Sequence, residues 1–586
     1  VHTALVEPSA ASTRRTVLRH LRPSWRSTFA LGTAVLAATV LPLSAPQFTR
    51  NFVDGAIAGK PLSALILFAF GYLGLTLAGQ FARLGTAWFA SRMSWDVTNR
   101  LRESLARHAL GLDIAYHRQR TPGEMIERVD GDVVAIAEFV VAFLLDVVVS
   151  LLLLLGVIVV VLFVDARIGV VLLVYCVLMA VAMLNAQRYA VPAATRVREK
   201  FAALFGNLEE RLAGAEDIRA NGAGNHVVNR FHRASADVYR ADIRAERIGG
   251  GLFAATSVAF AIGTAIVLGL AAWSQQQGAL SVGTALLLFQ YTQMVRTPFE
   301  RLIDQVQQYQ KALAAIARIG GLLAEQRTLP EPAKPDPLPT TGPLSIELSN
   351  VGFAYADNHE AVLTDVSLLL EPGQTLGLVG RTGSGKTTIA RMILRLYDPT
   401  QGTVRMGGID VRNIGSASIS RRICVVTQDV HLFAATVRDN LTLFRPGMDD
   451  DRLRAVLTEV GLSTWLRGLP KGLDTMLGAQ GSGLSAGEAQ LLAFARAFLA
   501  DPGLVVLDEA SSRLDPATEL HIEEAIRKLL TNRTGVLIAH RLSSLARVDQ
   551  VAVIEGGRVV EYGRRETLSR DPNSRFGRLL EAAGMV

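Results

Sequence analysis

Six stretches of this chain are apolar over, or close to, the length a helix needs to cross a lipid bilayer. They are Thr28–Phe48, Leu62–Leu84, Val140–Val164, Ile168–Leu184, Gly251–Trp273 and Leu280–Met294. A helix rises about 1.5 Å per residue, so about 20 apolar residues span the hydrocarbon core. Such runs leave few choices, because backbone groups in lipid must bond within their own helix or a closed barrel. The first expectation is a bundle of six membrane helices (residues 27–328), preceded by a cytosolic flank (1–26) that carries Arg14, Arg15, Arg19, Arg22 and Arg26. The charged, helix-periodic segments Ser91–Val133 and Gln187–Arg247 then fall in the cytoplasm, since an even number of spans returns both ends to one side.

Polar residues inside the runs need a place. Asp146 is read as lying near the cytoplasmic interface, because Val147–Val164 alone nearly crosses the bilayer; the competing reading is a functional intramembrane acid. Pro42 and Pro46 are expected to kink the first span. Gln290 and Gln293 share one face of the last span and should face a bundle interior or a substrate cavity. The net charge of +7 is explained by arginines beside the spans and calls for no nucleic-acid partner. Two cysteines, Cys176 and Cys424, exclude a disulfide framework.

After the last span the composition becomes that of an ordinary globular protein. The stretch LPEPAKPDPLPTTGP (329–343) forms an extended linker, since closely spaced prolines cannot continue a helix. From residue 344 to 586, LSIELSNVGFAY alternates like a half-exposed strand. The runs TLGLVG, RICVVTQ, LVVLDEA and GVLIAH read as strands buried on both faces. Helical segments between them predict a largely parallel α/β domain.

The strand TLGLVG leads into GRTGSGKTT and then a helix, the context in which G-x-x-x-x-G-K-[ST] cradles phosphate. Gly380, Arg381, Thr382, Gly383, Ser384, Gly385 and Thr388 would wrap ATP. Lys386 would reach the β- and γ-phosphates, and Thr387 would ligate Mg²⁺. Two adjacent carboxylates ending a buried strand, Asp508 and Glu509, are costly alone and sensible beside a metal nucleotide. Asp508 would serve Mg²⁺, and Glu509 would activate the attacking water. Gln428 and His540, at the ends of RICVVTQ and GVLIAH, would reach the metal or water and the γ-phosphate. Ligands in open α/β sheets sit at the carboxyl ends of strands. Tyr355 offers a ring for adenine.

Taken together, these motifs resemble a half-transporter of the ATP-binding cassette (ABC) superfamily. The membrane domain would come first, as a six-helix type IV exporter fold, followed by an α/β P-loop nucleotide-binding domain. The resemblance makes LSAGE (Leu484–Glu488) the signature motif, in which Ser485, Ala486, Gly487 and Glu488 would contact ATP bound to a facing domain. It gives Asp515, in SSRLD, to a loop that senses the partner. It also makes YHRQRTPGEMIERVDGDV (116–133) and GAEDIRANGA (214–223) intracellular loops whose coupling helices press on nucleotide domains. The family signature is usually Leu-Ser-Gly-Gly-Gln, so Ala486 and Glu488 depart from it. Ala479 departs where glutamate is usual, and Arg513 where a small residue is common. Unequal ATP sites in a heterodimer are therefore expected, with a homodimer as the alternative.

The resulting expectation is ATP-driven export of a hydrophobic or amphipathic small molecule or lipid, across a bacterial inner membrane, with ATP and Mg²⁺ as cofactors. The alternatives are an importer on the same architecture and an ATP-gated regulatory membrane protein.

Overall fold

The computed structural model describes residues 25–355, 360–478, 483–508, 516–539 and 542–584. The chain forms two compact units. Of the described residues, one unit holds those up to Leu112 and Arg120–Gln326, and the other holds Asp113–Gln119 and those from Arg327 onward.

The first unit is built of long helices: α1 (Trp25–Ile57), α2 (Leu62–Leu110), and, beyond a short helix of the other unit, α3 (Ile114–Arg118), the 43-residue α4 (Pro122–Val164). Then come α5 (Ala166–Ala213), α6 (Ala215–Ala220), α7 (Gly224–Gln276) and α8 (Val282–Ala324). Five of these, α1, α2, α4, α5 and α7, are long and apolar enough to cross a membrane. The sixth expected span begins α8, but Gln290, Gln293 and Arg296 keep that helix below the apolar threshold over a full crossing length. Pro42 and Pro46 lie inside the continuous helix α1.

α1 packs along α2, α5 along α7, and α8 against α1, α4 and α7. Val157, Leu172, Phe260, Val267 and Leu287 form the apolar centre of this packing. The buried Tyr291 hydroxyl donates to the Leu43 carbonyl at 2.7 Å, which satisfies a polar atom that would otherwise be costly to bury. At the start of α8, Asp54 of α1 accepts from the Gly283 N–H (2.8 Å) and the Ser281 hydroxyl (2.6 Å). A carboxylate at a helix N-terminus answers orphan donors and the helix dipole together. Large apolar side chains such as Phe70, Leu155 and Phe163 stay exposed along the spans, where lipid would cover them.

The second unit contains two sheets. β1 (Ile346–Ala354), β2 (Ala361–Leu370), β4 (Gln401–Met406) and β5 (Ile409–Asp410) form an antiparallel sheet in the order β2-β1-β4-β5. Along β1, Ile346 and Leu348 turn inward, and beyond a register shift at Ser349–Asn350 so do Val351 and Phe353. The other sheet has the order β10-β9-β3-β8-β7-β6, from β3 (Thr375–Val379), β6 (Ile423–Val426), β7 (Leu504–Asp508), β8 (Thr534–Ile538), β9 (Gln550–Glu555) and β10 (Arg558–Arg564). It is parallel apart from the β9–β10 pair. β8 is buried at every position, as a strand covered on both faces should be.

The helix α3 belongs to this unit. Asp113, just before it, accepts from the Thr328 hydroxyl at 2.8 Å and the Leu329 N–H at 3.2 Å. The first intracellular loop was expected over 116–133. The piece that packs here is 113–119, whereas residues from Arg120 fold with the helices.

Candidate functional site

β3 ends at Val379, and the chain turns through Gly380–Gly385 into α9 (Lys386–Ile393). Two glycines are required by space. A Cβ on Gly380 would lie 2.2 Å from the Ile554 carbonyl oxygen. Gly385 has φ +107°, and a Cβ there would lie 2.7 Å from Leu363. The loop therefore folds tightly enough to aim its backbone inward. Lys386 is almost fully buried, and its ammonium donates to the carbonyls of Gly380 (2.6 Å) and Arg381 (3.0 Å). Ser384 Oγ is buried without a hydrogen-bond partner among the described residues. A buried cation beside an orphaned hydroxyl, at the start of a helix, fits an anionic phosphate chain. The residues present thus fit a nucleotide.

The strand order explains how distant residues meet. β3, β8, β7 and β6 run parallel as neighbours, so their carboxyl ends share one edge. Asp508 is the last residue of β7, in register with Ile538 of β8, and is half-buried. Gln428 was expected to end its strand; β6 instead stops at Val426, and Gln428 lies exposed two residues further on. Glu509, Asp515 and His540, and with them Ala479 and Arg513, lie outside the described residues.

Tyr355 follows β1. Its hydroxyl accepts from Arg391 of α9 at 2.8 Å and is 3.1 Å from Thr388 Oγ1. The rings of Phe353 and Tyr397 meet it edge-on at 4.8 and 5.3 Å. Above the ring stands Arg118 of α3, its guanidinium 5.0 Å from the centroid. Arg118 and Arg391 were missed in the sequence because nothing local ties them to Tyr355.

The signature residues stand on another element. Ser485 caps α12, which comes after α10 (Val437–Thr442) and α11 (Asp450–Glu459) and runs Ala486–Ala500. Its hydroxyl accepts from the Glu488 N–H at 3.2 Å, and the Glu488 carboxylate accepts from the Ser485 N–H (2.8 Å) and hydroxyl (2.9 Å). This is a reciprocal capping box. The acid that looked out of place beside phosphate is engaged at the helix N-terminus. Gly487 is buried, while Ser485 and Ala486 are exposed.

A buried network went unforeseen. Arg496 of α12 donates to the carbonyls of Asn440 (2.7 Å) and His431 (3.0 Å) and to the Asn440 side chain (3.1 Å). Asn440, fully buried on α10, pairs in turn with the backbone of Phe433. Gln490 reaches the Thr427 carbonyl at 3.5 Å. These bonds tie the segment after β6, which carries Gln428, to the signature helix. Burial lowers the Arg496 pKa and pushes the nearby Cys424 thiol up to about 11.

Residues 28–299 match the family described as ABC transporter transmembrane region, and residues 363–512 match the one described as ABC transporter. The chain is 30% identical to the ABC transporter ATP-binding protein YknV of Bacillus subtilis, over 91% of this chain and 88% of that protein. It is 31% identical to a multidrug efflux ATP-binding/permease protein of Mycobacterium bovis, over 94% of this chain but 46% of the relative. It thus spans about half the length of that relative. Among solved structures, a bacterial Atm1-family ABC exporter with ATP bound superposes with a TM-score of 0.79, covering 95% of this chain and 98% of that one at 23% identity.

Proposed function

The chain belongs to the ABC transporter family, and from that premise we propose that it drives export of a hydrophobic or amphipathic compound across the bacterial inner membrane with the energy of ATP. The observation that carries the reading is one chain uniting apolar spanning helices with a phosphate loop. In that loop a buried lysine and an orphaned serine hydroxyl lie on the same sheet edge as Asp508. ATP would lie along Gly380–Thr388, with Lys386 on its phosphates and Tyr355 against the adenine. Thr387, Asp508 and Gln428 would hold Mg²⁺, which screens the developing charge of phosphoryl transfer. Glu509 would take the proton of the attacking water, with His540 on the γ-phosphate.

The working unit is a dimer, in which Ser485 and Gly487 of one half close on the nucleotide of the other. Asp515 senses that closure. Glu488 supports unequal sites and so a heterodimer, because it already occupies the Ser485 hydroxyl that would meet a phosphate. ATP binding would favour one global state of the helices and hydrolysis the other, which gives alternating access. The apolar helices support a multi-pass membrane protein, and the nucleotide unit would lie on the cytoplasmic side.

Reconstitution tests this. Inside-out vesicles carrying the complex should accumulate a lipophilic fluorescent probe with Mg·ATP and not without it. Hydrolysis with no movement in either direction would refute the transport reading. The adenine role of Tyr355 has its own test. Base–aromatic stacking is worth about 1–3 kcal/mol, so Tyr355→Ala should raise the KM for ATP about tenfold with kcat little changed. Tyr355→Phe keeps the ring and should stay near wild type; an unchanged KM in the alanine variant would rule out stacking.

A further inference from the structure

We propose that the cavity around Arg83, Asp146 and Arg301 in the helical unit binds the anionic head of an amphipathic molecule, so that the substrate class is an amphipathic phosphate or carboxylate. This rests on the transport reading above and narrows it. The cavity, of about 600 Å³, is walled by α1, α2, α4 and α8. A second cavity of about 290 Å³ shares Arg83 and Met294 with it.

The charges decide the sign of the ligand. Among the described residues, the charged groups lining the larger cavity are Arg83, Asp146 and Arg301, and the charged group lining the smaller one is Arg83. The Asp146 carboxylate accepts from Arg301 Nη1 at 3.5 Å and from Gln305 Nε2 at 3.1 Å. Arg83 has no hydrogen bond or ion pair among the described residues. The walls therefore hold two cations and one anion, and the anion is already engaged. A cationic ligand would find Asp146 taken and Arg83 repelling it; an anionic one completes the site.

The wall itself is shaped for this. Within α4 the turn Phe143–Val148 is π-helical, and it presents Leu145 and Asp146 to the cavity. Such single-turn bulges recur at functional sites because the extra residue re-aims side chains. Leu145, Val149, Leu153 and Met294 supply apolar surface beside the charges. Gln290 Oε1, in the smaller cavity, is buried with no partner among the described residues. It is the acceptor that a protonated oxygen or an amide of a headgroup would meet. A charged head with an apolar body matches that lining.

Equilibrium binding to the full-length protein in phosphatidylcholine nanodiscs, without nucleotide, tests the proposal. The probes are dodecyl phosphate, dodecyltrimethylammonium, dodecyl maltoside and inorganic phosphate. Dodecyl phosphate is expected to bind at least about tenfold more tightly than each of the others. Arg83→Gln, which breaks no internal pair, is expected to weaken dodecyl phosphate about tenfold or more, and Arg83→Lys to restore most of it. Equal affinity for the cationic and anionic chains would overturn the proposal, and so would an Arg83→Gln variant with unchanged affinity. Inorganic phosphate binding as tightly as dodecyl phosphate would overturn the amphipathic assignment. The transport reading is judged separately, by Mg·ATP hydrolysis and probe accumulation in the unmodified protein.

Discussion

Glu509→Gln is expected to slow ATP turnover at least about a hundredfold while leaving Mg·ATP binding near wild type. A positioned general base contributes about 10²–10⁴ to rate, and glutamine keeps the shape while losing the basicity. Glu509 directly follows Asp508, and Asp508 closes β7 at the edge where the phosphate loop opens. In the proposed reading Asp508 would serve the metal and Glu509 the attacking water. Two contrasting variants separate the roles. Lys386→Ala removes the buried cation of the loop and should abolish binding as well as turnover. Asp508→Asn should raise the Mg²⁺ concentration needed for half-maximal rate. In Glu509→Gln the nucleotide should stay bound and the dimer accumulate, visible as a larger species with one trapped ATP per competent site. Turnover within threefold of wild type would remove Glu509 as the base and move that role to His540.

What could be read in advance was local. The phosphate loop is contiguous with the strand and helix that shape it, so Gly380 to Thr388 announced itself. The full burial of β8 was equally plain, and so was the alternation of β1 on either side of its register shift at Ser349–Asn350, because burial follows a period of two or its absence. Glu488 carried a readable signal that was set aside. Ser485-x-x-Glu488 before an apolar run is a capping box, and the structure forms it, whereas comparison with the usual family signature made the glutamate look misplaced. The rest depended on contacts between residues far apart in the chain. Arg118 meets a tyrosine ring more than 200 positions later, and Arg496 closes a network with His431 and Asn440 that no spacing rule links. The antiparallel sheet of β1, β2, β4 and β5 went unpredicted for a similar reason, since β1 pairs across two intervening strands and the phosphate loop with β4. The π-helical turns of α4 depend on neighbouring packing and leave no mark in composition.

Arg318→Ala is the substitution expected to damage the helical unit most. Asp132, near the start of α4, is 1% exposed. Arg318 of α8 grips it with Nε at 3.1 and 3.0 Å from its two oxygens and with a further bond from Nη2. The two partners are not equivalent, because the Arg318 side chain remains 49% exposed. Removing the arginine strands a charge in the interior, and an uncompensated buried charge costs about 3–5 kcal/mol. Removing the aspartate frees a guanidinium that can turn to water, so Asp132→Ala should cost less. The double variant Asp132→Ala/Arg318→Ala should recover much of the loss seen in Arg318→Ala alone, since no buried charge is then left. Thermal unfolding in one lipid environment reads this ordering. Arg318→Ala should lower the midpoint by on the order of 5–10 °C, with the double variant above it. A double variant no more stable than Arg318→Ala would mean that the arginine acts through its packing and not by neutralising Asp132. The α4–α8 contact would then owe its strength to apolar neighbours such as Ala315 and Ile319.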